Sequence, residues 1–296
     1  MTLNDLGLEP RRPWWKLALY CLGGSVLFLY VAVIVLLTVY EGRLIFLPPQ
    51  AVPAVTPASA GLAFEDLHIP VDKGTYLHAW WIPSKDPDAK TLLYFHGNAG
   101  ALEYEANREA KVFEQMGANL LLVDYRGYGN SSPLQPSGAT TRNDALAALH
   151  YLERERHIEP AKIVLFGWSI GSGVATQLAV DAPEAGGLIL LSPISSVPDV
   201  ANESWVFRYP LRPSQWLWHG DDFANQDKIG SVHMPVLLIA GTADTLAPPW
   251  MARELYARAN EPKLLRFIQG AGHEDIMQTR DGTFLREIEQ FLAGLK

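Results

Sequence analysis

Cysteine is almost missing from this sequence: Cys21 stands alone among 296 residues. One thiol excludes an internal disulfide and any zinc site built on cysteines. Its place inside an apolar run predicts a small buried side chain. Basic side chains are also in deficit, 24 Lys and Arg against 32 Asp and Glu, for a formal charge of −8. Setting aside the charges of the first 43 residues leaves the remainder more acidic still. Nucleic-acid phosphates demand basic surface, so that partner class is excluded, and so is broad electrostatic adhesion to anionic lipid. No H-E-x-x-H occurs, and "HED" (273–275) stands without a carboxylate–histidine cluster in sequence, so no metal is expected. "GSGVAT" (171–176) lacks the third glycine of a dinucleotide fingerprint, and "LILLSP" ends without the acidic residue a ribose would need. No cofactor is expected either.

What is present begins with a core. A hydrophobic share of 48% supports a sizeable one, and the length fits one large α/β domain or two small ones. Residues 17–40, "LALYCLGGSVLFLYVAVIVLLTVY", carry no charge. As a helix they span roughly 36 Å, enough for a hydrocarbon core of about 30 Å with some tilt. Trp14, Trp15 and Tyr40 sit at the ends, where amphipathic rings favour the headgroup level. A cleaved signal peptide has a shorter apolar core, and the small-residue stretch near residue 60 lies far past this run. The expectation is an uncleaved transmembrane helix. Arg11, Arg12 and Lys16 precede it, so segment 1–16 should stay cytoplasmic and the main domain should be periplasmic or lumenal. Residues 41–61, rich in Pro and Ala, read as an extended, stiff spacer.

From residue 62 to the end, strand-like and helix-like stretches alternate. Strands are expected at 77–83, 91–97, 119–127, 162–167, 187–193, 235–241 and 263–269. Helices are expected at 102–116, 141–153, 170–181, 249–259 and 281–295. Near-continuous apolar strands separated by helices imply a mostly parallel sheet covered on both faces. Residues 195–232, with Trp205, Phe207, Trp216, Trp218 and Phe223, break this rhythm and read as a lid-like insertion or a loop folded on the core.

Within that pattern, "FGWSIGSGVA" (166–175) holds one serine between two glycines. G-x-S-x-G after a strand and before a helix is the nucleophile-elbow pattern. The turn holds Ser169 in a strained backbone conformation, and bulk two residues either side would collide with it. The helix that follows directs its free N–H groups toward developing negative charge. Asp244 follows one expected strand and His273 the next. Ser, Asp, His, each at a strand's C-terminal end, is the order of one known catalytic triad. His273 would act as base and acid for Ser169, and Asp244 would fix the imidazole's tautomer. Two backbone donors would bind the oxyanion: the N–H of Ile170, and that of Asn98, with Ala99 the nearby alternative. His96 reads as orienting that loop. Asp124 reads as bracing the "YRGYG" turn. His68, His78, His150, His157, His219 and His233 read as surface or packing residues, and Asp221 and Asp222 as weaker competitors of Asp244.

"FHGNAG", "DYRGYGNSSP", "GWSIGS", "GTADTLAPP" and "GAGHED", in that order, resemble the membrane-anchored α/β-hydrolase-domain serine hydrolases and their bacterial relatives. The resemblance runs from about residue 62 to the end, and "LIFLPP" after the apolar run is similar too. It implies an α/β-hydrolase fold and hydrolysis of acyl esters or thioesters: monoacylglycerols, lysophospholipids or protein-bound palmitoyl groups. The depalmitoylating members carry an N-terminal cysteine cluster for lipidation; this chain has one cysteine and a membrane-length run instead. A serine peptidase on the same fold and a non-catalytic anchored scaffold are the competing readings.

Overall fold

A computed structural model describes residues 13–203, 223–279 and 281–295. The chain divides into two compact units, one ending at Glu41 and the other beginning at Gly42.

The first unit is dominated by one helix, Trp14–Val39. Its most apolar 18-residue stretch has a mean hydropathy of 2.5, and it is long and apolar enough to cross a membrane. None of its residues is buried. Cys21, expected to be buried, is exposed on it. The helix is apolar on all sides, so an apolar run in the sequence does not by itself imply a protein core around each of its side chains.

The second unit is built on an eight-stranded sheet: β1 (Glu65–Asp72), β2 (Thr75–Ile82), β3 (Thr91–Phe95), β4 (Asn119–Val123), β5 (Ile163–Trp168), β6 (Gly187–Leu191), β7 (Val236–Gly241) and β8 (Lys263–Ile268). Their order across the sheet is β1-β2-β4-β3-β5-β6-β7-β8. β1 and β2 form an antiparallel hairpin, β2 joins β4 antiparallel, and every later pair is parallel. Every residue of β3, β5, β6 and β7 is buried, which is why they read as unbroken apolar runs. Successive side chains point to opposite faces. Ile163 and Leu165 of β5 therefore enter one core, and Val164, Phe166 and Trp168 the other. Helices Gly138–Arg154, Gly171–Asp181 and Pro249–Arg258 cover the first face through residues such as Leu149, Val174 and Met251. Helices Leu102–Gln115 and Thr283–Gly294 cover the second through Leu102, Phe113, Phe284 and Ile288. This is the α/β-hydrolase architecture, a mostly parallel sheet with helices on both faces.

Three expectations need correction. β1 was not anticipated: in "EDLHIPVD" Leu67, Ile69 and Val71 do alternate toward the core, but Pro70 interrupts the run and only Ile69 is fully buried, as an edge strand permits. The strand expected over 119–127 stops at Val123: the Asp124 N–H still donates to the His78 carbonyl of β2, but from Tyr125 the chain folds into a turn closed by the Tyr128 N–H on the Tyr125 carbonyl. The expected spacer 41–61 is packed on the domain from Gly42 onward. Phe46 is 3% exposed, and Pro57 is buried in a short 3-10 helix, Pro57–Ala60. Burying an aromatic ring, at about 1.5–3 kcal/mol, outweighs the extended preference that proline gives a free chain. Of the expected insertion, helices Val197–Glu203 and Asn225–Lys228 lie at its edges. Trp205, Phe207, Trp216, Trp218, His219, Asp221 and Asp222 fall outside the described residues. Phe223 is buried in the core.

Candidate active site

β5 ends on Trp168, and Ser169 follows at φ +57°, left-handed backbone that costs a non-glycine residue of order 1–3 kcal/mol. The strain holds because its surroundings leave no alternative. The Ser169 N–H donates to the Leu191 carbonyl of β6, and helix Gly171–Asp181 starts two residues later. A Cβ on Gly167 would strike the Gly171 carbonyl oxygen, and one on Gly171 would strike the Phe95 carbonyl oxygen of β3. The two glycines therefore let the turn close against its own helix and against the neighbouring strand. Ser169 is 8% exposed and lines a cavity of about 580 Å³.

Asp244 sits in the turn after β7 and His273 in the loop after β8. Parallel strands in register carry both turns to the end of the sheet where β5 delivers Ser169. His273 Nε2 lies 2.9 Å from Ser169 Oγ, and His273 Nδ1 lies 2.8 Å from Asp244 Oδ2. The other Asp244 oxygen accepts the Leu246 and Ala247 N–H groups at 2.9 and 2.8 Å. Burial pushes the Asp244 carboxyl up, but the His273 hydrogen bond and charge, with the Ala247 N–H, outweigh it and hold it below the usual carboxylate range. The His273 loop is pinned by Asp275, whose Oδ1 accepts the Gly272 N–H at 2.7 Å, so "HED" shapes a turn. Trp168 stacks on the His273 ring, centroids 5.9 Å apart. Sequence reasoning did not single out either Asp275 or Trp168; a loop brace and a ring partner leave no pattern in a chain before its strands are aligned.

Ile170, Asn98 and Ala99 line the same cavity as Ser169. Gly97 brings the loop after β3 to the serine, since a Cβ there would meet Ser169 Cβ at 3.5 Å. Asn98 is fixed twice: its side-chain amide donates to the Ile45 carbonyl at 2.8 Å, and its own carbonyl accepts from Tyr128 Oη at 2.6 Å.

His96 is fully buried beneath this loop. Its Nδ1 donates to the Gly97 carbonyl at 2.7 Å, and its Nε2 lies 3.3 Å from Asp124 Oδ1, an ion-pair distance without hydrogen-bond geometry. Asp124 also accepts the Leu102 N–H and contacts His78 Nδ1 at 3.2 Å, while His78 Nε2 meets Asp66 at 2.8 Å. Burial alone would push both histidines down and Asp124 up. The His78–Asp124 hydrogen bond, the ion pair of His96 with Asp124 and the Gly97 carbonyl on His96 Nδ1 reverse the direction, raising His78 and His96 and lowering Asp124. His78, expected to be surface or packing, is thus a member of a buried ionic group. It was illegible because Asp66 comes from the unanticipated β1. His78, Glu103 and Asp124 also bring ligand-type atoms within 4.8 Å of one another. Both His78 nitrogens already face carboxylates, and a carboxylate on each side is the environment of an imidazolium. None of the three lines the cavity.

A family description for the α/β hydrolase fold matches residues 90–220. An uncharacterized protein of Mycobacterium tuberculosis is 35% identical over 254 residues, 86% of this chain and 87% of that one. The α/β hydrolase domain-containing protein 17B of Xenopus laevis is 33% identical over 208 residues, 70% of this chain and 68% of that one. Among solved structures, a Pyrococcus furiosus esterase superposes with a TM-score of 0.68 at 21% identity, covering 84% of this chain and 97% of that one. Sequence likeness over most of the chain, and a sheet of this order carrying a serine elbow, lead to one conclusion: the chain belongs to the α/β-hydrolase-domain family.

Proposed function

We propose that this hydrolase is a membrane-anchored serine esterase acting on acyl esters or thioesters through Ser169, His273 and Asp244. The single observation that carries the reading is the unbroken hydrogen-bonded chain from Asp244 through His273 to Ser169 Oγ at the wall of a largely apolar cavity. Ser169 Oγ attacks the acyl carbonyl while His273 Nε2 takes its proton. The oxyanion is met by the N–H groups of Ile170 and Asn98. Collapse expels the alcohol or thiol, which takes the proton from His273, and leaves an acyl-Ser169 ester. Water then attacks that ester with His273 again as base, releasing the acid and restoring Ser169. Asp244 keeps the Nδ1 proton of His273 in place throughout. The cycle draws on no metal or cofactor.

Anchoring is proposed through helix Trp14–Val39, with the N-terminus cytoplasmic and the catalytic unit periplasmic or lumenal. Its length and hydropathy support a span, and the basic residues ahead of it support the orientation.

The test is fluorophosphonate labelling and p-nitrophenyl ester hydrolysis by wild type and Ser169→Ala. The expected result is loss of labelling and a fall in turnover on the order of 10⁶-fold. Equal activity in the two proteins would sink the reading.

A further inference from the structure

The segment that composition marks as a spacer lies against the catalytic loop. Phe46 is buried edge-on to Tyr128 and Phe223, with ring centroids 6.5 and 5.7 Å away. One residue earlier, the Ile45 carbonyl accepts the Asn98 side-chain amide at 2.8 Å. Further along, the Ala51 carbonyl accepts from Tyr104 Oη at 3.0 Å, in the first turn of helix Leu102–Gln115. The stretch is therefore held by a buried ring between two hydrogen bonds, both to the chain that leads from β3 into that helix. Leu44, Ile45 and Pro49 line the cavity that also contains Ser169 and His273. Leu44 is 49% exposed there, an apolar side chain left in water at the cavity wall. In sequence it stands five residues beyond Val39, the last residue of the membrane-length helix.

Each of these features has a use if the cavity takes an acyl chain. An exposed leucine at the wall gains from being covered by methylenes, as any apolar surface does. The backbone N–H of Asn98 can stabilise an oxyanion only if it is pre-aimed, because a donor that reorients during the reaction loses most of its benefit. Asn98 has two fixed points, its carbonyl on Tyr128 and its side chain on Ile45, and the second belongs to this segment.

We propose that Leu44–Pro49 is a functional part of the active site: Leu44 and Ile45 form a wall for the substrate's acyl chain, and the Ile45 carbonyl positions the oxyanion loop through the Asn98 amide. The proposal rests on the hydrolase reading of the Ser169 site. It makes the Asn98 side chain a positioning group, and it makes the first residues after the anchor helix a determinant of chain-length preference.

The test uses the full chain in mixed detergent–lipid micelles, with p-nitrophenyl acetate, butyrate and octanoate as substrates. Leu44→Gln should lower the octanoate-to-acetate ratio of kcat/KM about tenfold, the loss of contact with about two methylenes. Asn98→Ala and the near-isosteric Asn98→Asp, which lacks the N–H donor, should both lower kcat about tenfold or more on all three esters with KM little changed. An unchanged chain-length ratio in Leu44→Gln, or wild-type kcat in Asn98→Asp, overturns the proposal. Melting temperatures of the variants separate a lost tether from a lost fold. If wild type neither hydrolyses these esters nor labels with fluorophosphonate, the hydrolase reading fails. The wall is then judged without chemistry, by octanoate titration calorimetry of wild type and Leu44→Gln. A tenfold weaker affinity in the variant retains it, and equal affinities overturn it.

Discussion

At Ser169 the backbone carries a conformation that its side chain does not favour, and two glycines carry the geometry that permits it. Gly171→Ala should destabilise the fold by about 1–3 kcal/mol, the usual cost of forcing atoms into a packed site. The carbonyl oxygen it would meet belongs to the middle of the sheet and has no room to withdraw. A melt of the variant against wild type checks this; an unchanged midpoint would mean that the turn is looser than its contacts indicate. Asp244→Asn keeps the shape of the side chain but, with its oxygen held by the Leu246 and Ala247 N–H groups, turns an amide N–H donor toward His273 Nδ1. It so favours the tautomer protonated at Nε2, which cannot accept the Ser169 proton. Turnover should fall about 10⁴-fold, as for triads in general, while fluorophosphonate labelling slows and the melting temperature holds. The meeting of Ser169, Asp244 and His273 was legible in the sequence because each follows an apolar strand, and parallel strands bring their C-terminal ends together. Asn98 was expected at the site, and it lines the cavity. Its side-chain tether was not expected, since the partner is a carbonyl 53 residues earlier that carries no side-chain signature.

Among elements, the hairpin β1–β2 and the loop after β3 are joined by the buried group His78, His96 and Asp124, with the exposed Asp66 on the outer nitrogen of His78. Asp124 is held below its ordinary value, so its contribution to stability is present above a pH of about 3.9 and is lost as pH falls through its lower folded value. His78 and His96 are held above theirs, so their contribution is complete below a pH of about 6.5 and is lost as pH rises through their higher folded values. The group therefore stabilises most between those limits and progressively less in alkali. Asp124→Ala leaves two buried histidines without their shared carboxylate and should cost about 3–5 kcal/mol. Asp124→Asn should cost less and should flatten the alkaline fall in melting temperature. A wild-type fall that persists unchanged in Asp124→Asn would place its origin elsewhere. Sequence patterning exposes none of this, because a histidine in an apolar strand looks the same whether it packs or pairs.

For the whole molecule, the N-terminal helix and the domain have different physics. Helix Trp14–Val39 has no buried residue and is long and apolar enough to cross a membrane, which is the basis of the proposed anchor. Cells expressing the chain should yield it in the membrane fraction after an alkaline carbonate wash, released only by detergent. Protease added outside intact spheroplasts should digest the domain if the orientation is as proposed, and protection would reverse it. In detergent, with the apolar helix covered, the acidic chain should show no salt-dependent retention on a phosphocellulose column.

The apolar runs, the glycine-flanked serine, the order Ser169–Asp244–His273 and the membrane-length helix are properties of the sequence itself. They depend on local chemistry: periodicity, turn stereochemistry and the free energy of moving apolar side chains out of water. Tertiary structure alone decided that β1 pairs at the sheet edge, that His78 lies between two carboxylates and that Leu44–Pro49 packs on the domain that carries Ser169. Each of those depends on a partner far away in the chain: β2 for the edge strand, Asp66 and Asp124 for the histidine, Tyr128 and Phe223 for Phe46. A proline-rich stretch with one phenylalanine reads as a spacer until a pocket for that ring is folded, and the pocket is made by residues that follow it by 80 or more positions.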